Sequence, residues 1–416
     1  MSAAWLTVLG IGDNGMDSLT PPALVLLKAA KTVIAPQRVL DRLDFRALGL
    51  ETCEIIPWTM GVEPTLELLY ARRGTPVTIL ATGDPMFFGI GATLRRTLEA
   101  AEMLVVPSPS GFSLAAARLG WPLQDVACIS LHGRAVAGLQ PHILPENRIL
   151  ALTSTGRTVH EVACLLSGRG YGASVLTVLE HIGGAAERIS SQRASEVAPL
   201  DAGDPGFADF NMLAIECIAG EGVCIESPVP GLPDTAFVHD GQLTKQEVRA
   251  VTLSALQPCP SALLWDVGAG CGSVSVEWMR AARNARAIAI ERDAERSRMA
   301  AENSVRLGTP GLTIVEGDVP EALSGLDAPD AVFIGGGLRR DGVFEHCWKA
   351  LKAGGRVVAN AVTVESESRL QDLHSRYGGA LTRLSVARAE PVGRYHGWRP
   401  MMPVTQWRVQ KPWSTA

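Results

Sequence analysis

Leu263–Asp293 reads LLWDVGAGCGSVSVEWMRAARNARAIAIERD. An apolar run, Leu263 to Val267, carries Asp266 near its end and opens into Gly268, Gly270 and Gly272. A helical stretch follows, then a second apolar run, Ala287 to Ile290, which stops at Glu291. This is a β-α-β unit with a glycine turn after its first strand and an acid after its second. Glycines in GAGCG let backbone pass close to a ligand, and the helix start behind them favours a negative group.

Outward from this unit the alternation continues. Strands are expected at Thr313–Glu316, Ala331–Ile334 and Arg356–Asn360, behind a leading helix at Lys245–Ala255. Two late strands, Thr382–Ala389 and Pro403–Val409, have no clear helix between them. The expectation is an open, mostly parallel sheet with a terminal hairpin and one antiparallel strand.

The chain also begins with a glycine turn, of a different kind: VLGIGDNGMDSLT, Val8 to Thr20. Here strands are expected at Trp5–Ile11, Thr32–Ala35, Pro76–Ala81, Leu104–Val106, Ile149–Leu152, Ser174–Leu179 and Met212–Glu216. Helices are expected at Pro21–Ala30, with Thr20 as N-cap, and at Thr65–Arg73. Between Gly220 and Pro233, GEGVCIESPVPGLP breaks the periodicity and reads as a linker. The expected domains are therefore 1–219 and 238–416, joined by 220–237.

The bulk numbers agree with more than one α/β domain. A chain of 416 residues is too long for one ordinary core, and 42 glycines suit many tight βα turns. A net charge of -5 without any Lys/Arg-rich tract weighs against a nucleic-acid partner, but leaves room for a local basic pocket. The eight cysteines form no CxxC and lie near no zinc-spaced histidines, so they read as reduced, mostly core thiols, with no metal site. MSAAWLTVLG has neither a basic n-region nor a long apolar stretch, and no run approaches the roughly 20 residues of a membrane span. A cytoplasmic protein without a membrane partner is expected.

The surroundings of GAGCG decide its ligand. Asp266 stands where it can pair with an ammonium, and a pyrophosphate would gain nothing from a carboxylate there. Glu291 suits ribose hydroxyls, and Asp318, in EGDVPEAL, suits an adenine amino group. Together these favour S-adenosylmethionine (SAM) over a dinucleotide, for which Asp266 and Asp318 would be unexplained. The candidate cofactor set is Thr244, Asp266, Gly268, Ala269, Gly270, Cys271, Gly272, Glu291, Asp318 and Val319. Thr244 suits a helix N-cap equally well. Gly335, Gly336 and Gly337 follow the fourth strand and leave room for a bulky substrate.

TKQEVRA, WDVGAGCGSVSVEW, IERD, EGDVPEAL, PDAVFIGGG and LKAGGRVVANAVTVES resemble the class I SAM-dependent methyltransferases. More narrowly, they resemble the C15-methylating, decarboxylating enzymes of corrin synthesis, over almost all of 238–416. VLGIGDNGMDSLT, ATGDPMFFGIG, PSPSGFSLAAARLGWP and TSTG resemble the tetrapyrrole methylases, a separate SAM-using fold of two α/β subdomains, over about 4–216. The second resemblance implies that Gly83, Asp84, Pro85, Ser110 and Gly111 border SAM, and that Gly10, Gly12 and Asp13 border the tetrapyrrole. An Asx-type turn without ligand contact is the alternative for Asp84. The loop reads GIGDNG where many relatives carry a proline, which puts the path of Asp13–Asn14 in question. Phe87 and Phe88 offer apolar walls for a flat macrocycle.

Fused in this order, the halves resemble the bifunctional methyltransferases of cobalamin (vitamin B12) biosynthesis. The resemblance implies C5 methylation of a reduced precorrin by the first half. It implies C15 methylation and decarboxylation of the ring C acetate by the second, with one SAM site per domain. Such a substrate bears many carboxylates, so Arg339, Arg340, Arg394 and Arg399, in expected loops, are candidate clamps beside Gly335–Gly337. Tyr395 and His396, in GRYHGWRP, are candidate proton donors for the decarboxylated carbon. A homo-oligomer is expected. The rival readings are an RNA methyltransferase, a dinucleotide oxidoreductase and a non-catalytic tetrapyrrole carrier.

Overall fold

β1 (Leu6–Ile11) is apolar almost throughout and buried at all but one position, as a strand covered on both faces must be. It sits inside a parallel sheet with β2 (Thr32–Pro36), β3 (Glu54–Trp58), β4 (Val77–Thr82) and β5 (Met103–Val106), in the order β3-β2-β4-β1-β5. The computed structural model describes residues 4–58, 62–201 and 206–413. The chain divides into two compact units, one of residues 1–136 and 144–223, the other of 137–143 and 224–416.

The first unit holds a second, mixed sheet. It comprises β6 (Ala127–Ser130), β7 (Arg148–Leu152), β8 (Val175–Glu180), β9 (Arg188–Arg193) and β10 (Asn211–Glu216), in the order β6-β7-β10-β8-β9. The helix Gly111–Leu119 packs Phe112, Ala115 and Ala116 against Leu150, Leu179 and Met212 of this sheet. Three strands of this unit were not expected from the sequence, β3, β6 and β9, and each is a sheet edge. Edge strands need no continuous apolar run, and RISSQR of β9 is polar and largely exposed. Thr20 caps the helix Pro21–Lys28, as expected, by accepting from the Ala23 N–H.

In the second unit β11 (Leu263–Val267), β12 (Arg286–Glu291), β13 (Thr313–Glu316), β14 (Ala331–Ile334) and β15 (Arg356–Ala361) run parallel. β16 (Ala380–Leu384), β17 (Ala387–Val392), β18 (Tyr395–Pro400) and β19 (Val404–Gln410) complete the chain. The main sheet has the order β13-β12-β11-β14-β15-β19-β16, with β19 antiparallel to both neighbours. Strand order reverses at β11 and β14, which opens a crevice beyond their C-terminal ends.

Two expectations are corrected here. Thr382–Ala389 is not one strand: β16 stops at Leu384 and β17 begins a separate ribbon with β18. GRYHGWRP is therefore not a loop but most of that ribbon, turned at Gly393 with φ 62°. Part of 220–237 packs within the second unit. Gly231 and Leu232 donate to the Glu277 carboxylate at 2.6 and 3.1 Å, and Leu232, Ala236 and Phe237 are buried with Val276 and Leu307. The prolines and glycines end the periodic pattern there without ending the packing.

All eight cysteines are free thiols. Cys217, Cys271 and Cys347 are buried, but Cys164, Cys224 and Cys259 are exposed, so the core reading holds for fewer than half. Among the described residues no helix is long and apolar enough to cross a membrane.

Candidate functional site

Asp266 is the penultimate residue of β11, buried in the core of the second unit. Its Oδ2 accepts from the N–H and Oγ–H of Ser275 at 3.0 and 2.7 Å, at the start of the helix Ser273–Ala281. Its Oδ1 is buried and has no hydrogen-bond partner. Burial pushes this carboxyl up to about 6, against the two Ser275 bonds and with help from the Glu291 charge. A buried carboxylate short of a cation fits the ammonium of SAM.

The glycine loops make room beside it. Gly268 has φ 71°, and a Cβ there would lie 2.7 Å from the Gly336 backbone, so the two loops run nearly in contact. The N–H groups of Gly268 and Ala269 bond the Ile290 carbonyl, while those of Gly335 and Gly336 bond the Val267 carbonyl. Gly272 is the N-cap of the following helix, with φ 75°. Glu291 accepts from Gly270 N–H at 2.8 Å, and from Arg292 and Asp293 N–H at 3.0 and 3.1 Å. It thereby ties GAGCG to the end of β12. A carboxylate has about four acceptor sites, so one remains for a ribose hydroxyl.

Asp318 and Val319 follow β13. Asp318 lines an open cleft of about 670 Å³ with Val315, Glu316, Gly317, Glu321, Ala322 and Arg340. Arg340 pairs with Asp318 at 2.8 Å and donates to the Val319 carbonyl at 3.1 Å. A Cβ on Gly337 would lie 2.9 Å from Val319 Cγ2, so the third glycine of the triplet faces the same loop.

Other candidates sit differently from the sequence reading. The Cys271 side chain is buried among Leu232, Phe237 and Leu307, and burial pushes its thiol up to about 11. Only its backbone belongs to the loop. Thr244 is not the N-cap of the helix Gln246–Leu256; Lys245 is. The Thr244 carbonyl instead accepts from Arg249, a buried guanidinium that also pairs with Glu277 at 2.6 Å. Arg339 is exposed beside the glycine triplet. Tyr395 and His396 lie exposed on the ribbon, and Arg399 there pairs with Glu390 at 2.8 Å. Among the described residues, no hydrogen bond or ion pair draws these three to Asp266 or the glycine loops.

In the first unit, Gly10 at the end of β1 is crowded by the Gly83 carbonyl and the Ser108 N–H, where any side chain would collide. The loops after β1, β4 and β5 thus converge. Asp84 accepts from Met86 N–H at 2.8 Å in an Asx turn ahead of the exposed Phe87 and Phe88. Those rings pack on Phe112 at centroid distances of 5.0 and 5.5 Å. Pro85 is buried behind them. Ser110 caps the helix starting at Gly111 by accepting from Ser113 N–H at 3.1 Å. Gly12 donates to Ser18 Oγ at 2.7 Å, which closes the turn.

Asp13 turns inward from that loop. Arg42 lies 2.8 Å from its carboxylate, and Arg38 and His181 Nδ1 each lie 3.4 Å away. The sequence reading missed all three partners. Arg38 and Arg42 are spaced four apart at a short helix, a readable signal for one face; His181 follows β8, where its neighbour is set only by folding. Ser275 was missed for the same reason.

Residues 6–198 match the family model for tetrapyrrole (corrin/porphyrin) methylases, and 235–411 match that for the precorrin methyltransferase domain. Together these matches define a fused tetrapyrrole methyltransferase of the SAM-using kind. Over 98% of its length the chain is 48% identical to a precorrin-6Y C(5,15)-methyltransferase [decarboxylating] of Sinorhizobium sp, covering 96% of that protein. The chain belongs to the precorrin-6Y C(5,15)-methyltransferase (decarboxylating) family. Shorter relatives match parts of it. A probable cobalt-precorrin-6B C(15)-methyltransferase (decarboxylating) of Sulfurisphaera tokodaii is 34% identical over 34% of this chain and 76% of its own. A cobalt-precorrin-7 C(5)-methyltransferase of Salmonella typhimurium is 31% identical over 44% of this chain and 88% of its own.

Proposed function

We propose that the chain methylates C5 and C15 of a precorrin-6Y-type tetrapyrrole and decarboxylates its ring C acetate, as its full-length relatives are named for doing. We assign C5 to the first unit, and C15 with decarboxylation to the second, with one SAM site in each. The existence of separate C5 and C15 relatives supports that division. The observation that carries the second site is the bare, buried Oδ1 of Asp266 beside the Gly268–Gly336 approach.

Bound SAM supplies an electrophilic methyl carbon on a sulfonium. The protein's part is to hold and orient. Asp266 would take the ammonium, Glu291 the ribose and Asp318 the adenine. Gly335–Gly337 would let the macrocycle close on the strand ends. The acceptor is an electron-rich, enamine-like meso carbon, so no strong base is required. Decarboxylation sends its electron pair into the ring system and needs one proton at the new methyl carbon. Tyr395 and His396 serve as that donor only if the substrate reaches the ribbon. In the first unit the Asp84 turn and the Ser110 cap would border SAM, and Gly10, Gly12 and Asp13 the tetrapyrrole.

The test uses the full-length protein with SAM and precorrin-6Y, reading each methyl group separately by mass spectrometry and NMR. Asp266→Ala should give product lacking the C15 methyl and retaining the acetate carboxyl. Asp84→Ala should lack only the C5 methyl. Loss of the C15 methyl in Asp84→Ala would refute the division of labour.

A further inference from the structure

Asp13 is 5% exposed, yet its Oδ2 receives no directed hydrogen bond. His181 Nδ1, 3.4 Å away, is also buried without one. Arg42 is ion-paired to that oxygen at 2.8 Å, and His181 Nδ1, just past β8, approaches the same oxygen. His181 is held there in the left-handed region, with φ 48°, which side chains other than glycine seldom adopt. Its N–H donates to the Phe210 carbonyl at 3.0 Å, and its carbonyl accepts from Gly184 N–H at 2.9 Å. A Cβ on Gly184 would lie 2.5 Å from Asp13 Oδ2, so the turn after His181 closes on the same carboxylate. The imidazole packs on the Phe210 ring, which Arg38 covers at 3.7 Å. The charged groups around it are Asp13, Arg38 and Arg42, and Glu180 with its partner Arg188. The His181 side chain is 30% exposed, although its Nδ1 is buried.

This is the arrangement of a base oriented by a carboxylate. We propose that His181, positioned by Asp13, accepts the proton released at the carbon methylated in the first unit; the proposal rests on the assignment of C5 methylation to that unit. With Nδ1–H turned to Asp13, Nε2 is the acceptor. Once C5 has gained its methyl group, the C5–H bond breaks, its electron pair returns to the tetrapyrrole π system, and the proton goes to Nε2. Asp13 then faces an imidazolium, which passes the proton to solvent.

The full-length protein carrying His181→Asn, Asp13→Asn or Asp84→Ala is given SAM and precorrin-6Y across a pH series, and C5 and C15 methylation are timed separately. Asparagine tolerates the left-handed backbone, so His181→Asn keeps the turn while removing the titrating ring. His181→Asn should slow C5 methylation by about 100-fold or more and abolish its fall towards acid pH, with SAM affinity and C15 methylation unchanged. Asp13→Asn should slow the same step. An undiminished C5 rate in His181→Asn, or a slower one with the wild-type pH profile, overturns the proposal. If Asp84→Ala removes C5 methylation while His181→Asn does not, the assignment of the unit survives and the proton acceptor is wrong. If His181→Asn slows C15 instead, both fall.

Discussion

Asp266, near the end of β11, and Asp13, just past β1, are both buried acids beside a glycine turn, one in each unit, and their surroundings are opposite. Asp266 meets only the neutral donors of Ser275 and keeps one oxygen bare. Asp13 is met by Arg38, Arg42 and His181. A carboxylate buried without a counter-charge is costly, so the first arrangement is an incomplete ion pair that a cationic ligand would complete. The second already has its counter-charges and acts as a fixed support for what surrounds it. The same sequence signal, glycines after an apolar strand with an acid close by, thus marks a buried carboxylate without a counter-charge in one unit and an internal ion-pair cluster in the other.

The largest effect that tests this contrast is expected from Asp266→Asn. The amide still accepts from Ser275 but cannot pair with an ammonium, so SAM affinity at the second site should fall by about 10- to 100-fold. pH gives the sign. The folded carboxyl sits at about 6, above its ordinary value of 3.8. Its contribution to stability is therefore fully present below about pH 4 and lost as pH rises through about 6. Ligand-free Asp266→Asn escapes that loss and should be the more stable protein near pH 8, by up to about 3 kcal/mol, with the gap closing near pH 4. Denaturant unfolding at the two pH values measures it. A constant gap would mean that Asp266 is not the strained charge described above. Wild-type affinity for SAM should weaken in parallel as pH falls below about 6.

Gly10→Ala and Gly268→Ala form a matched pair of intermediate size. The first drives a Cβ into the Gly83 carbonyl and Ser108 N–H; the second meets Gly336 at 2.7 Å with φ already at 71°. Each should cost about 1–3 kcal/mol within its own unit. Gly10→Ala should lose C5 methylation and keep C15, and Gly268→Ala the reverse. A single glycine variant that abolishes both reactions while still folded would show that the two sites do not work independently.

Legibility followed burial and local spacing. The central strands β1, β4, β11, β12 and β14 are mostly apolar and lead into glycine or an acid, so their positions were readable from the sequence. The edge strands β3, β6 and β9 carry no such run. The ribbon β17–β18 is mostly exposed and buries too little to leave a pattern, which is why Tyr395 and His396 were read as loop residues. Side-chain direction was the other gap. Cys271 lies inside the glycine motif but points into the core, and Thr244 stands next to a cap without being one. Ser275 and His181 acquire their roles only when folding brings a distant carboxylate to them.

Asp318 gives the smallest expected effect and the finest discrimination. Unlike Asp266 it is already paired, with Arg340 at 2.8 Å, but both side chains are about half exposed. Exposed ion pairs contribute about 0–1 kcal/mol, so Arg340 holds Asp318 only weakly in the ligand-free protein. If Asp318 receives the adenine amino group, that pair competes with the ligand, and Arg340→Ala should tighten SAM binding at the second site by at most about fivefold. The gain should shrink as salt is added, because screening weakens the wild-type pair itself. Calorimetry at low and high salt reads both. A loss of affinity in Arg340→Ala would reverse the assignment: Arg340 would then contact the ligand itself, and the Asp318 pair would be part of the binding surface that positions it.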